Sequence, residues 1–269
     1  MTHPKGILGR YGVHPKKSLG QNFLVEASIL QRIGDLGALT RIDNVLEIGP
    51  GIGSLTKIIA ASAGQVVAIE LDDRLIAILK DELVGYDNIR LIHGDVLAVG
   101  PSELFDLPYK VIANVPYYIT GAILQHLLDP PIKPDLMVLT VQKEVADRLT
   151  AKPGKMSILS VSVQVHGDIN TELIIRAGSF WPKPGIDSAV VRFTLHTDLL
   201  IEQSELGAFM KLVRIGFSNK RKQLQKNLRA IIPERDRLQD MFGSVGLDGT
   251  RRAQTLSIEE WLALFRSLS

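Results

Sequence analysis

The chain has 269 residues, 45% of them hydrophobic and 22% charged, an ordinary globular composition. It holds no cysteine, which excludes disulfides, thiolate zinc sites, iron–sulfur clusters and a cysteine nucleophile. Thirty-one Lys and Arg against 29 Asp and Glu leave a net charge of +2, a figure that says little about partners until the charges are placed along the chain. No run approaches the ~18 consecutive apolar residues of a membrane span, and the first twenty residues lack the apolar core of a secretory signal. The expectation is a soluble, cytoplasmic protein with no membrane partner.

The first 25 residues carry Lys5, Arg10, Lys16 and Lys17, no acid, and frequent Gly and Pro, and they read as a basic arm or loop. Helical spacing of apolar residues then runs from Glu26 to Leu39. Next, short apolar runs alternate with helical segments. The runs are Asn44–Ile48, Gln65–Glu70, Ile89–His93, Tyr109–Asn114 and Asp135–Val141. The helices are Ser54–Ala63, Asp72–Leu83, Thr120–Leu128 and one starting at Gln142. This rhythm predicts βαβ units and a mainly parallel sheet buried on both faces. Met156–His166 is ambiguous: Ser160 to Val165 alternates like a strand, yet it also fits a helix with a small-residue face. Thr171–Ile175 and Ala189–His196 read as late strands, with a rigid loop from Phe180 to Gly185 between them. After about Thr197 only helical patterns remain: 206–217, 221–231, 235–242 and 258–268.

Four features fall at the ends of consecutive predicted strands, where open α/β sheets bind ligands. The first is Glu47-Ile48-Gly49-Pro50-Gly51-Ile52-Gly53. Its spacing is G-x-G-x-G, not the dinucleotide G-x-G-x-x-G, and no Walker lysine follows, so pyrophosphate and triphosphate ligands are disfavoured. A tight turn without a ligand is the alternative. The second is Glu70, placed to accept hydrogen bonds from the two ribose hydroxyls of an adenosine ligand, with Asp72 read as a helix cap. The third is Asp95, a candidate acceptor for an adenine amine or simply a turn residue. The fourth is Asn114-Val115-Pro116-Tyr117.

With that fourth feature the chain resembles the S-adenosylmethionine-dependent adenine-N6 methyltransferases, whose N-[LIV]-P-Y motif it matches with Val115 where leucine is usual. Gln21-Asn22-Phe23-Leu24, Gln142-Lys143-Glu144-Val145-Ala146, the Phe180 to Val191 loop and strand, and Phe217-Ser218-Asn219-Lys220-Arg221-Lys222 are similar to the small-subunit (16S) rRNA branch, bacterial adenine dimethyltransferases. The resemblance runs from about Lys17 to the C-terminus. It implies an α/β, class I methyltransferase fold: a Rossmann-like, seven-stranded, mainly parallel sheet with an antiparallel end, plus a small all-α C-terminal domain. It also implies that Met156–His166 is helical. The implied partition is a basic N-terminal arm (1–25) with a cofactor-contacting motif, a catalytic domain (26–197) and a helical rRNA-binding domain (198–269). Cofactor contacts with S-adenosyl-L-methionine are implied at Asn22, Leu24, Gly49, Glu70, Asp95 and Asn114, with Gly51 beside them in the glycine loop; no metal is expected. Asn22 and Leu24 rest on the resemblance alone.

The chemistry so implied is direct methyl transfer to the exocyclic amine of two adjacent adenines near the 3′ end of 16S rRNA, each methylated twice, in the immature small ribosomal subunit. That amine is a weak nucleophile, so the task is positioning and electrostatics. The Asn114 side-chain oxygen and the Val115 carbonyl are expected to accept its protons, Pro116 to stiffen the turn, and Tyr117 to stack on the base. Phe180 is either the opposite face of that stack or a loop-packing residue. From Leu206 to Pro233 there is no acid and there are seven bases, Lys211, Arg214, Lys220, Arg221, Lys222, Lys226 and Arg229. Such a cluster suits phosphate binding; a solvated helix face is the plain alternative. Ser218-Asn219 ahead of the cluster suggests a helix cap, and the N-terminal cations offer a second site for phosphate. The protein is expected to be a monomer. Three other readings compete: an Erm-type large-subunit rRNA methyltransferase, a non-catalytic assembly factor with the same fold, and a nicotinamide oxidoreductase. The intact Asn114, Pro116 and Tyr117 and the glycine spacing count against the last two.

Overall fold

The computed structural model describes residues 2–106, 108–129 and 132–268. In chain order its elements are α1 (Pro4–Arg10), β1 (Phe23–Leu24), α2 (Ala27–Leu36), β2 (Asn44–Ile48), α3 (Ser54–Ser62), β3 (Gln65–Glu70), α4 (Asp73–Glu82), β4 (Ile89–His93) and α5 (Pro101–Leu104). They continue with β5 (Tyr109–Asn114), α6 (Thr120–Leu128), β6 (Leu136–Gln142), α7 (Lys143–Leu149), α8 (Ile158–Gln164), β7 (Gly167–Ile175), β8 (Phe180–Trp181) and β9 (Ser188–Leu195). The last are α9 (Gln203–Gly216), α10 (Leu224–Leu228), α11 (Arg235–Ser244) and α12 (Ile258–Arg266).

One sheet has seven strands in the order β4-β3-β2-β5-β6-β9-β7. The pairs from β4 through to β6 are parallel, and β9 runs antiparallel to β6, with Val138 opposite Arg192. From β2 the chain winds outward through β3 and β4, then returns to place β5 on the other side of β2. That reversal is a topological switch point, and the loops after β2 and β5 flank it. The strands are continuous apolar runs because helices cover them: Val45, Val66, Ile112 and Val138 from the sheet share a core with Leu30 and Ile33 of α2 and Ile59 and Ala60 of α3. A second, two-stranded ribbon pairs β1 with β8 antiparallel, Leu24 opposite Phe180.

The chain forms two compact units, Met1–Ala146 with Asn170–Leu195, and Asp147–Ile169 with His196–Ser269. The second unit is therefore discontinuous, unlike the single boundary at 197 expected from the sequence. Its core joins Met156, Val161 and Val165 to Phe209, Val213, Leu228 and Trp261. Segment 158–164 is a helix, as the resemblance implied: Ser157 caps the Ser160 amide, and the buried Ser160 hydroxyl donates to the Arg148 carbonyl at 2.7 Å. Other expectations fail too, among them that 180–185 is all loop, since Phe180–Trp181 is a strand paired with β1. Residues 4–10 form a helix, not an open arm, because Ile7 and Leu8 are buried with Phe23, Ile52, Leu75 and Ile78. The segment 221–231 is helical only over Leu224–Leu228, capped at Gln223 and not at Ser218-Asn219. No helix among the described residues is long and apolar enough to cross a membrane.

Candidate active site

The loops after β2, β3, β4 and β5 open onto one cleft of about 1020 Å³, its solvent-open mouth included, within the unit that holds the parallel strands. The glycine loop forms one wall. Gly51 has φ +63°, its amide donates to Glu70 Oε2 at 3.1 Å, and a Cβ there would sit 3.0 Å from the Phe23 ring. Only glycine meets both demands, the left-handed backbone and the close approach. Glu70, at the end of β3, is buried, and its other oxygen accepts from the Asp72 amide at 2.9 Å. Burial pushes its carboxyl above the ordinary range, against the backbone amides of Asp72, Gly51 and Leu71, which favour the charged form. Each oxygen uses one lone pair here, so acceptor capacity toward the cleft remains.

Asp95 after β4 is exposed and lines the cleft. Its Oδ1 accepts from the Leu97 amide at 2.9 Å, the turn role, which leaves Oδ2 for a ligand. Asn114 ends β5. Its Nδ2 donates to the Asn22 carbonyl at 3.1 Å, which fixes the amide and leaves Oδ1 as the acceptor. That bond joins the sheet to the segment Gln21–Leu24, which lines the cleft as a strap. Three more ties hold the strap: Gln21 Nε2 donates to Asp72 at 2.8 Å, β1 pairs with β8, and the Val25 amide donates to the Ser179 carbonyl.

Asp72 is the anchor. It caps α4 and receives the Arg74 guanidinium, Nη2 at 2.6 Å and Nε at 2.9 Å, with the Lys16 ammonium 3.9 Å away. The Arg74 pairing, helped by Gln21, holds its carboxyl well below the usual carboxylate range. Pro116 turns the chain out of β5 with φ −57°, and Tyr117 follows with its hydroxyl 2.6 Å from Ser188 Oγ. Burial raises the Tyr117 phenol.

Of the expected site residues, Asn22, Leu24, Gly49, Gly51, Glu70, Asp95, Asn114, Val115, Pro116 and Tyr117 all line this cleft. Phe180 does not. It is 3% exposed, paired with Leu24 and packed in the core, so it backs the strap and offers no face to a base. Among the lining residues that sequence reasoning left without a role are Glu47 and Tyr118. Glu47 carried a signal, an acid inside an otherwise apolar strand; Tyr118, 57% exposed, carried none beyond its place after the motif.

In the other unit, Lys211 and Arg214 on α9, Lys220, Arg221 and Lys222, and Lys226 and Arg229 are all exposed. No ion pair holds any of them among the described residues. Lys220 to Lys222 form a turn. The Asn219 side chain accepts the Arg221 amide at 3.2 Å, and buried Asn227 donates to the carbonyls of Gly216 and Asn219. The N-terminal cations differ: Arg10 pairs with Glu82 at 2.6 Å and Lys16 faces Asp72, leaving Lys5 and Lys17 as the exposed remainder.

A family model described as "Ribosomal RNA adenine dimethylase" matches residues 13–269. A Dehalococcoides mccartyi protein named "Ribosomal RNA small subunit methyltransferase A" is 40% identical over 267 residues, 98% of this chain and 92% of that one. Among solved structures, the 23S rRNA methyltransferase ErmE is 29% identical with a TM-score of 0.78, covering 91% of this chain and 99% of that one. A dimethyladenosine transferase from Plasmodium falciparum is 25% identical with a TM-score of 0.78, covering 90% and 95%.

Proposed function

The chain belongs to the ribosomal RNA adenine dimethylase family, and from that premise we propose that it dimethylates the N6 amines of two adjacent adenines near the 3′ end of 16S rRNA in the immature small subunit. The methyl donor in this reading is S-adenosyl-L-methionine, which supplies an electrophilic methyl on a sulfonium. The cleft suits it: Glu70 and Asp95 keep acceptor capacity for a ribose and an adenine amine, the glycine loop allows close backbone approach, and among the described residues the lining holds no Lys, Arg or His to oppose a cation.

The observation that carries the mechanism is the Asn114–Asn22 hydrogen bond. With Nδ2 committed to the Asn22 carbonyl, Oδ1 is the oxygen that accepts one proton of the adenine amine. The Val115 carbonyl takes the other. The two acceptors draw the nitrogen out of conjugation with the ring and fix its lone pair on one line, which is catalysis by orientation and preorganised dipoles. Tyr117, tethered by its hydroxyl to Ser188, gives the base a ring that cannot swing away. The exposed, unpaired cations Lys211, Arg214, Lys220, Arg221, Lys222 and Lys226 supply sequence-independent phosphate binding.

Asn114→Ala should reduce methyl incorporation into immature small subunits by at least about two orders of magnitude, with rRNA binding nearly unchanged. Unchanged turnover would remove Asn114 from the mechanism. Because ErmE shares the fold, methyl acceptance should be measured on both immature subunits. Incorporation into the large subunit alone would favour the large-subunit activity that protein's name describes.

A further inference from the structure

Tyr118 has no part in the steps above. It follows Tyr117 directly, yet the two rings are placed differently. Tyr117 is half-buried and tethered to Ser188, while Tyr118 is exposed at the rim of the same cleft. The Tyr118 ring is backed by protein on one side. It lies against Gly20, where a Cβ would come 3.5 Å from its Cδ1 and 3.8 Å from its Cε1. Gly20 has φ +62°, and its carbonyl accepts from Asn22 Nδ2 at 3.0 Å, so the surface behind the ring is continuous with the strap. The Tyr118 hydroxyl has no hydrogen-bond partner among the described residues, whereas that of Tyr11, also exposed, donates to Asp81 at 2.9 Å.

A cation stands beside this ring. The Gly20 amide donates to the Lys17 carbonyl at 3.0 Å and closes the turn Lys17–Leu19, and Leu19 and Gly20 both line the cleft. Lys17 is exposed and no ion pair holds it among the described residues, unlike Arg10 and Lys16 of the same N-terminal segment. An aromatic face open to solvent with an unpaired cation one turn away is the combination that holds a single-stranded nucleotide: the base stacks and the phosphate is neutralised.

We propose that Tyr118 and Lys17 hold the nucleotide that adjoins the target adenine, its base stacked on Tyr118 while the target lies inside at Asn114 and Tyr117. This rests on the reading of the chain as an rRNA adenine dimethyltransferase. Two consecutive residues, about 3.8 Å apart at Cα, give one ring to the interior of the cleft and one to its mouth. The substrate in that reading has two consecutive adenines, one extruded into the cleft and one left at the mouth. Stacking needs only a π-face, which a dimethylated adenine keeps, so the platform serves before and after its occupant is modified. Tyr118 is a positioning residue, since it fixes the strand that carries the target and does not touch the reacting nitrogen.

Immature small subunits whose rRNA carries an abasic nucleotide immediately before or immediately after one target adenine test this, with methylation of that adenine followed by mass spectrometry. One platform reads one side, so one of the two substitutions should lower kcat/KM by about 5- to 150-fold, the range for loss of one base–aromatic stack. Tyr118→Ala should lower kcat/KM on the intact substrate by a similar factor and become indifferent to the abasic site. Tyr118→Phe, which keeps the face, should regain both the rate and the sensitivity. Lys17→Gln should flatten the salt dependence of rRNA binding by about 0.7 in log–log slope, and an unchanged slope would overturn its role. Calorimetry with S-adenosyl-L-methionine should give the same affinity for Tyr118→Ala as for the unsubstituted protein; a fall matching the lost rate would make the ring a brace for the strap and overturn the inference. So would undiminished sensitivity of Tyr118→Ala to the abasic site. The abasic series on the unsubstituted protein decides the matter even where a variant is unstable: indifference on both sides, with the intact substrate methylated, overturns this inference alone. If the intact substrate is not methylated either, the functional reading fails and this inference with it.

Discussion

Three acids within one loop cluster show how environment, not residue type, sets charge. Glu47 and Glu70 are buried with too few donors and are pushed up; Asp72, with no exposed side-chain surface, is pulled down by the Arg74 guanidinium. A carboxyl whose folded value is depressed contributes stability that is fully present above its unfolded value of 3.8 and is lost as pH falls toward the folded one. Asp72→Asn should therefore cost about 1–2 kcal/mol at neutral pH, a range reduced from that for fully buried charged hydrogen bonds because Arg74 is partly exposed. The penalty should shrink as pH falls below about 4, since the unsubstituted carboxyl then begins to lose its advantage too. Denaturant melts of both proteins across that range measure it. A penalty constant with pH would mean that shape, not charge, is what Asp72 supplies.

At the level of elements, the parallel strands were readable almost to the residue. Asn44–Ile48, Gln65–Glu70, Ile89–His93 and Tyr109–Asn114 appear as expected because a buried parallel strand must be a short, unbroken apolar run. The segment Ser160 to Val165 misleads for a different reason. Its alternating Ser and Val follow a period of two, yet the buried Ser160 hydroxyl is satisfied by the Arg148 carbonyl, a bond between residues twelve apart that periodicity does not register. In the site, Glu70, Asp95 and Asn114 were legible because strand ends locate them. The strap was not, since Gln21 and Asn22 are held by Asp72 and Asn114, 51 and 92 residues away. Helix α1 was missed because only Ile7 and Leu8 among its seven residues are large and apolar. Those two matter. Leu8, 1% exposed, packs in the cluster that holds Phe23, whose ring meets Gly51. Leu8→Ala should cost about 2–5 kcal/mol and also weaken cofactor binding, by loosening the strap from behind. Retained affinity in a destabilised variant would show that the strap is set by its ties to Asp72, Asn114 and β8 without support from behind.

Across the whole molecule, a net charge of +2 conceals an unequal distribution. Acids in the parallel-strand unit pair locally, as Glu82 does with Arg10 and Lys57, while the cations of 211–229 have no such partners among the described residues. Reversing Arg221 and Lys222 to Glu should weaken rRNA binding and lower the salt slope by roughly 0.7–0.9 for each phosphate no longer neutralised, with cofactor affinity unchanged. A fall in cofactor affinity instead would tie this turn to the cleft. The interruption of the helical unit has a further consequence. Asp147–Ile169 leaves the chain between β6 and β7 and contributes Ala151, Met156, Val161 and Val165 to a core otherwise drawn from residues after His196. During synthesis that insert emerges long before the helices it packs with, so it must wait as an exposed apolar segment until the last quarter of the chain is made. In evolution, exchange of the helical unit between relatives requires two simultaneous crossovers. A single cut and paste near residue 197 would leave a mismatched half-core on either side.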